Sequence, residues 1–486
     1  MKVMIAYPPL ESSKGVPLLS QNRQFQWFNS PTYIYPMVPA YAATMLQEAG
    51  HEVLWADGIA EEQKYADWLT RVEHEAPEVV AMETKTPVVK SHWKIVGDLK
   101  RILPEAKVVL MGDHVTALPE ESMQSSQADC VLTGGDYDFL LLSYANWLDG
   151  KGSLEPGIWY RDHNDAEVKN TGKFDLNHDL NNLPIIDRDL TRWQLYSEKN
   201  GNFKRTPGTY TMIGRDCWWR KGGGCTFCSW TTLYPKWRAR RPELLADEIG
   251  ILIERYGVKS VFDDTGAFPI GETLRKFCRL MIERGYNEKI EFSCNMRFGA
   301  LSLEDYKLMK QAGFRMLLFG LESAQQETLN RINKNLTVEQ IKDSCRTAKQ
   351  ACLEPHLTIM LGYPWESRED AFRTFDLAKY LFEKGWADTL QATIVIPYPG
   401  TKLFAECKDQ GLLNTLDWDE YDMRQMVMKS ELCEEDVKEI TQRMYKLFMN
   451  PKYVMRKFAN IRSFEDMAFI LRGAKKVAGH LKDFRA

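Results

Sequence analysis

Segments of strand character alternate with segments of helix character twice along this chain of 486 residues, and that alternation constrains its fold more than any other feature. The N-terminus opens with MKVMIAYPPL, a short apolar strand that must stop at Pro8-Pro9, since proline donates nothing to a strand ladder. PMVPAYAATMLQEAGHEVLWAD then reads as a helix over 38–49, closed by Gly50, and a strand over 52–55. The pattern continues through a helix at 61–75, strand EVVAME, helix 88–102, strand KVVLMG, a short helix near 119–125, strand CVLTGG and helix 137–148. Such spacing predicts a parallel, doubly wound, Rossmann-like sheet. Ligands sit outside the carboxyl ends of such strands. The loops there carry Pro8, Thr84 to Thr86, Gly112 to Thr116 and Gly134 to Tyr137, and these four are expected to rim a pocket. No G-x-G-x-x-G follows the first strand, which argues against a nicotinamide or flavin dinucleotide.

Residues 151–205 are less regular. GIWYRDHNDAEV suggests a hairpin around Asn164-Asp165, and LPIIDRDL an extended linker. From Gly208 a second series begins with strand TYTMIG and helix 243–255. Strand SVFDDT, helix 271–285, strand IEFSCNMR, helix 302–312 and strand RMLLFGLES follow. Helices 325–332 and 337–352, strand HLTIMLGYP, helix 368–383 and strand TLQATIVIPYPGT complete it. Six strand–helix units fit a (β/α)6 barrel, complete or partial, whose working loops lie at the strand carboxyl ends. The candidate polar residues fall there: Cys217 after the first strand, Asp263-Asp264 after the second and Arg297 after the third. Glu322-Ser323 follow the fourth, Gly362-Tyr363-Pro364 the fifth and Pro397-Tyr398-Pro399-Gly400 the sixth. The expected division is 1–150, a linker at 151–205, a barrel domain at 206–405 and a helical region at 406–486.

Three cysteines, Cys217, Cys225 and Cys228, crowd into twelve residues of RDCWWRKGGGCTFCSW. Thiolates that close together hold a metal or a metal cluster. A four-iron cluster normally takes four thiolates, so three leave one iron open to a small molecule. Structural zinc would want a fourth ligand; His163 and His178 are the nearest histidines upstream and none lies close downstream. Disulfides fit poorly, because ten cysteines in 486 residues show no crowded framework and no signal peptide is evident. The other seven read as buried structural residues, and a reducing, cytoplasmic setting is expected. Trp218, Trp219, Trp230 and Trp237 surround the cysteines, as shields for a cluster or simply as core. A net charge of −4 carries no global nucleic-acid signature, and no apolar run reaches the length of a membrane span. Residues 451–486 hold nine Lys/Arg against three Asp/Glu, which reads as a solvated helical tail or as a surface for anionic lipid or an acidic partner.

Over about residues 1–400 these motifs resemble the radical S-adenosylmethionine (SAM) enzymes, in the class with an N-terminal cobalamin-binding domain. The cysteine loop, FDDTGAFP, CNMRFGAL, GLESAQQETLNRINK, GYPWESRED and PYPGTKLF stand in family order on successive strands. YPP, PMVPAYAATMLQEAGHEV, VVLMGDHVTALPEE and TGGDYD are similar to the cobalamin domain. The commonest family spacing puts three residues and then two between the cysteines; here seven (WWRKGGG) precede Cys225. The resemblance implies a 4Fe-4S cluster on Cys217, Cys225 and Cys228, with SAM chelating the open iron and cleaved to methionine and a 5′-deoxyadenosyl radical. It implies SAM contacts at Phe227, Asp264, Arg297, Gly320, Glu322, Ser323, Pro397 and Tyr398. It also implies cobalamin contacts at Pro8, Thr84, Thr86, Gly112, His114, Thr116, Gly134, Gly135 and Tyr137. Asp113-His114 departs from the Asp-x-His-x-x-Gly motif, so no histidine is expected below the cobalt. No further catalytic residue is assigned.

The activity so implied is C-methyl transfer from methylcobalamin. Two alternatives stand beside it: a radical cyclase, oxidase or carbon–carbon coupling enzyme on a tetrapyrrole or lipid, and a corrinoid- or SAM-binding protein without catalysis. The partners implied are a small-molecule or lipid substrate and an electron donor such as flavodoxin or ferredoxin. Basic and aromatic residues do not interleave on a module that would read nucleic acid, and peripheral membrane contact would run through the basic C-terminus.

Overall fold

The computed structural model describes residues 1–19, 25–29, 31–162, 167–200 and 202–483. Its first sheet contains five parallel strands: β1 (Lys2–Tyr7), β2 (Glu52–Asp57), β3 (Val79–Glu83), β4 (Lys107–Met111) and β5 (Cys130–Leu132), in the order β2-β1-β3-β4-β5. The alternation within β1 shows why the sheet is covered on both faces. Val3, Ile5 and Tyr7 enter one apolar core while Met4 and Ala6 enter another on the opposite face.

Two further strands, β6 (Ile158–Arg161) and β7 (Val168–Asn170), add antiparallel to β5, so the sheet extends past residue 150 into the expected linker. The turn of that hairpin, with Asn164-Asp165, lies outside the described residues. Helix Tyr65–Glu75 starts four residues later than its periodicity suggests, because Glu62 takes φ 57, a left-handed conformation that no helix continues through.

The second sheet holds β8 (Gly208–Thr211), β9 (Ser260–Asp263), β10 (Glu291–Met296), β11 (Phe314–Glu322), β12 (Glu354–Leu361) and β13 (Thr389–Ile394). All are parallel and ordered as in the chain; β8 and β13 do not pair, so the barrel is partial. Local chemistry sets the helix starts. Ser302 with Asp305, Thr337 with Gln340 and Ser367 with Asp370 each form a capping box that satisfies two otherwise free amides.

Buried charge joins the two units. Arg215, 1% exposed, donates to Asp136 Oδ1 at 2.8 Å and binds both oxygens of Asp138. Arg238 also grips Asp136, and the Gly135 amide donates to the Leu233 carbonyl at 2.9 Å. After the barrel come helices Lys402–Asp409, Glu434–Lys446, Pro451–Ala459 and Phe464–Asp483. Among the described residues no helix is long and apolar enough to cross a membrane.

Candidate functional site

Beyond β8 the chain reverses through Asp216, which has φ 81, and Cys217 forms a bridge with Ala267 beyond β9. The seven-residue insertion then folds into a 3-10 turn, Trp218–Gly222. Arg220 is doubly bonded to Asp216, with Nη2 to Oδ1 at 2.9 Å. Asn333 Nδ2 donates to the carbonyls of Gly222 and Gly224 at 2.9 and 2.7 Å, and Trp219 Nε1 donates to the Asn333 carbonyl at 2.8 Å. The insertion is thus pinned from both sides.

Cys217, Cys225, Cys228 and Phe227 line one cavity of about 1040 Å³. Burial pushes the Cys217 thiol up to about 11 and the Cys228 thiol to about 12, and neighbouring Cys225 raises both further. Such thiols ionise only when a metal displaces their protons. Among the described residues no three His, Cys, Asp or Glu side chains converge on a single-ion position.

The cavity also takes in Arg297, Gly320, Glu322 and Tyr398. The Arg297 guanidinium lies 4.5 Å from the Trp219 ring centroid and 5.6 Å from that of Trp218, with Nη1 3.9 Å from Cys225 Sγ and Nη2 bonded to the Lys334 carbonyl. Among the described residues no acid side chain forms an ion pair with it. Glu322 takes φ 61 where the β11–β12 register shifts, a strained conformation for a residue with a side chain. Lys334 Nζ holds its carboxylate at 2.6 Å, both groups buried. A side chain at Gly320 would run into both members of that pair, so glycine keeps the wall open beside them.

Three other expected SAM contacts do not line the cavity. Asp264 is buried behind the second loop, with its amide on the Thr211 carbonyl; Ser323 donates to Glu366 at 2.5 Å; Pro397 sits between the two lining residues Ile396 and Tyr398.

The cavity does not reach the four loops of the first sheet, and Tyr234, Gly400 and Trp418 pack on two of them. Pro8 is buried. His114 Nδ1 is 3.1 Å from Thr86 Oγ1, and its ring meets Trp93 and Trp418 edge to face. Thr116 Oγ1 donates to the Gly112 carbonyl at 2.6 Å and accepts from the Gly134 amide. The Tyr234 ring fills the space before Gly135, and Tyr137 donates to Glu83, whose carboxyl burial pushes up to about 7. Gly112, at φ 126, packs so closely on the Thr84 carbonyl that no side chain fits. Beside it Thr84 Oγ1 is buried with no partner. The glycine faces at 112, 134 and 135 are filled by Thr84, Phe174 and Tyr234, and the Thr84 hydroxyl and His114 Nε2 are buried there without a hydrogen-bond partner.

Lys334 and His356 carry no motif signal of their own, though Lys334 closes GLESAQQETLNRINK. Along β12, Glu354, His356, Thr358 and Met360 alternate into the cavity. His356 Nδ1 bonds Thr389 Oγ1 at 2.8 Å and its Nε2 is buried without a partner; burial holds the ring down to about 4, hence neutral. The opposite wall comes from helices Pro451–Ala459 and Phe464–Asp483, which the sequence reads only as a basic tail.

An open half-barrel thus carries a three-cysteine loop at its strand carboxyl ends and is joined to a doubly wound sheet. The B12-binding domain model matches residues 28–140 and the Radical SAM superfamily model residues 212–378. The chain thus carries a radical SAM domain and, before it, a B12-binding domain. It is 28% identical over 483 residues to an uncharacterized methyltransferase of Pyrococcus horikoshii, covering 98% of this chain and 97% of that one. It is 23% identical to the anaerobic magnesium-protoporphyrin IX monomethyl ester cyclase of Cereibacter sphaeroides over 81% of this chain and 63% of that one. The fold is that of the radical SAM methyltransferase TsrM from Kitasatospora setae, solved with cobalamin and a 4Fe-4S cluster: TM-score 0.68, 13% identity, 99% of each chain. The cobalamin-dependent radical enzyme OxsB matches at TM-score 0.68 and 13% identity, over 99% of this chain and 71% of that one.

Proposed function

We propose that the protein is a cobalamin-dependent radical SAM C-methyltransferase. The observation that carries this reading is the meeting of Cys217, Cys225 and Cys228 with Arg297 and the Glu322–Lys334 pair around one cavity. Near full-length similarity to a named methyltransferase supports it. Bound together, the cluster, SAM and cobalamin supply the one-electron and methyl-transfer chemistry.

The chain's own residues have narrower tasks. The three cysteines would hold the cluster. Arg297, which has no acid partner among the described residues, balances thiolate charge at Cys225 and suits a carboxylate of SAM. Glu322, held in place by Lys334, can accept from an ammonium group. Gly320 leaves bare backbone for the nucleoside beside Tyr398, and the buried Thr84 hydroxyl, which has no hydrogen-bond partner, is a group left for cobalamin at the edge of the first sheet. An electron donor such as flavodoxin or ferredoxin would feed the cluster.

Anaerobically reconstituted enzyme, given SAM carrying a trideuterated methyl group and an extract of cells lacking the gene, should yield a product about seventeen mass units heavier than its precursor. A product with no label would point instead to the cyclase-type reaction.

The same reading places the C-terminal helices at a lipid surface. Met455, Phe458, Phe464 and Leu471 are 71, 59, 90 and 65% exposed on a segment with nine cations and three acids. Phe458 and Leu471 also line the cavity, so its mouth opens among them. Vesicles of anionic phospholipid should sediment the protein at low salt, and Phe458→Ser with Phe464→Ser should release most of it. Equal sedimentation of the variant would remove this contact.

A further inference from the structure

The cavity is larger than its cysteine end requires. β12 runs six residue steps alongside it, from Glu354 to Met360, roughly 20 Å at about 3.3 Å per residue. Met316, Leu318, Met360, Phe448, Phe469 and Val477 give its walls an apolar character. At the end remote from the cysteines, most cations are neutralised. Lys204 pairs with Asp466 at 3.1 Å and Arg315 with Glu354 at 2.8 Å; Lys349 and Lys457 share Asp388 at 2.7 and 3.0 Å.

Two are not. Arg472 donates only to the backbone carbonyls of Phe203 and Lys204, at 3.2 and 3.4 Å, and its Nε is buried with no partner. Glu198 acts on it only at longer range, without a hydrogen bond or an ion pair among the described residues. Lys476, one turn further along the same helix, donates among the described residues to Thr32 Oγ1 and the Pro31 carbonyl alone. Residues four apart share a helix face, and both of these line the cavity. Burial lowers Lys476 to about 8 and lowers Arg472 as well, the behaviour of cations without a counter-ion. Both are partly exposed to the cavity and neither has an acid partner within ion-pair distance among the described residues, so an anion arriving with a ligand would complete this pair.

We propose that the cavity takes a long, mainly apolar substrate whose anionic head group, a carboxylate or a phosphate ester, docks on Arg472 and Lys476 while its far end reaches the cysteine loop. This rests on reading the cavity as the substrate site of the proposed methyltransferase.

Calorimetric titration of the full-length, cluster-loaded protein with dodecanoate, dodecyl phosphate and dodecanol tests the head group without turnover. A failure here is therefore separate from a failure to transfer methyl groups. One of the two anions should bind at least about tenfold more tightly than dodecanol, and the preferred one assigns carboxylate or phosphate. Arg472→Met and Lys476→Met should each lose most of that preference, with dodecanol binding unchanged as the check on folding, and Lys476→Arg should keep it. Equal affinity for alcohol and anions, or a preference that survives both methionine variants, would overturn the proposal.

Discussion

Alanine in place of Cys217, Cys225 or Cys228, one at a time, is expected to leave a folded protein that holds little or no 4Fe-4S cluster. The wild-type chain should carry four irons. The three side chains share one cavity wall and are only partly exposed, so each truncation removes a sulfur without opening the apolar core. With burial holding Cys217 and Cys228 protonated near 11 and 12, two remaining thiols give a partial site little affinity. Iron and sulfide analysis with the visible absorption of the reconstituted proteins reads the effect directly. Thermal unfolding of the metal-free forms should coincide with wild type. Any variant that keeps four irons would remove that cysteine from the ligand set.

Replacing Arg215 by methionine should cost the most stability of any single substitution considered. The guanidinium is 1% exposed and neutralises two carboxylates that the fold places side by side, Asp136 and Asp138. Removing one partner of a buried ion pair leaves an uncompensated charge, at roughly 3–5 kcal/mol. Here the loss falls at the junction of the two sheets, so urea unfolding should shift to lower concentration and protease should cut between the units.

The same cluster sets a pH dependence. Burial alone would raise Asp136, but Arg215, His178 and Arg238 outweigh it and hold the carboxyl well below its ordinary 3.8. A depressed carboxyl stabilises the fold above its unfolded value, and that contribution fades as pH falls through the folded value. Burial also opposes the charged form of His178, yet hydrogen bonds to Asp136 and Glu155 raise it from 6.5 to about 9. Its contribution is therefore complete below 6.5 and lost as pH rises toward 9. The junction should be tightest between the two ordinary values, 3.8 and 6.5, and His178→Ala should flatten the alkaline limb while also weakening the hold on Asp136 that sets the acid limb. A variant as stable as wild type at every pH would show that this cluster does not join the domains.

Much of this arrangement is legible in the order of the residues alone. The apolar run MKVMIAY stopped by Pro8-Pro9, Gly50 after the first helix, and the Ser-x-x-Asp and Thr-x-x-Gln starts at 302, 337 and 367 are local signals, and local physics decides those elements. The cysteine loop is legible for the same reason, since ligand spacing is written along the chain. What contacts across the chain decide is not. Lys334 meets Glu322 because a register shift at Gly320 turns that carboxylate inward, and the shift leaves no mark on composition. The loops of the first sheet look like an open rim but lie partly beneath Gly400 and Trp418, residues more than two hundred positions away. The C-terminal helices read as a basic tail because charge counting cannot tell that Lys457 faces Asp388 or that Lys476 faces Thr32.

The central claim, that sulfur from Cys217, Cys225 and Cys228 creates a cluster able to break SAM, is tested most directly by one assay. Reduced, reconstituted wild-type protein is mixed with SAM in the absence of oxygen, and 5′-deoxyadenosine and methionine are quantified by mass spectrometry. Both should accumulate with wild type and neither with a cysteine variant. Intact SAM recovered from protein carrying its full four irons would contradict the claim.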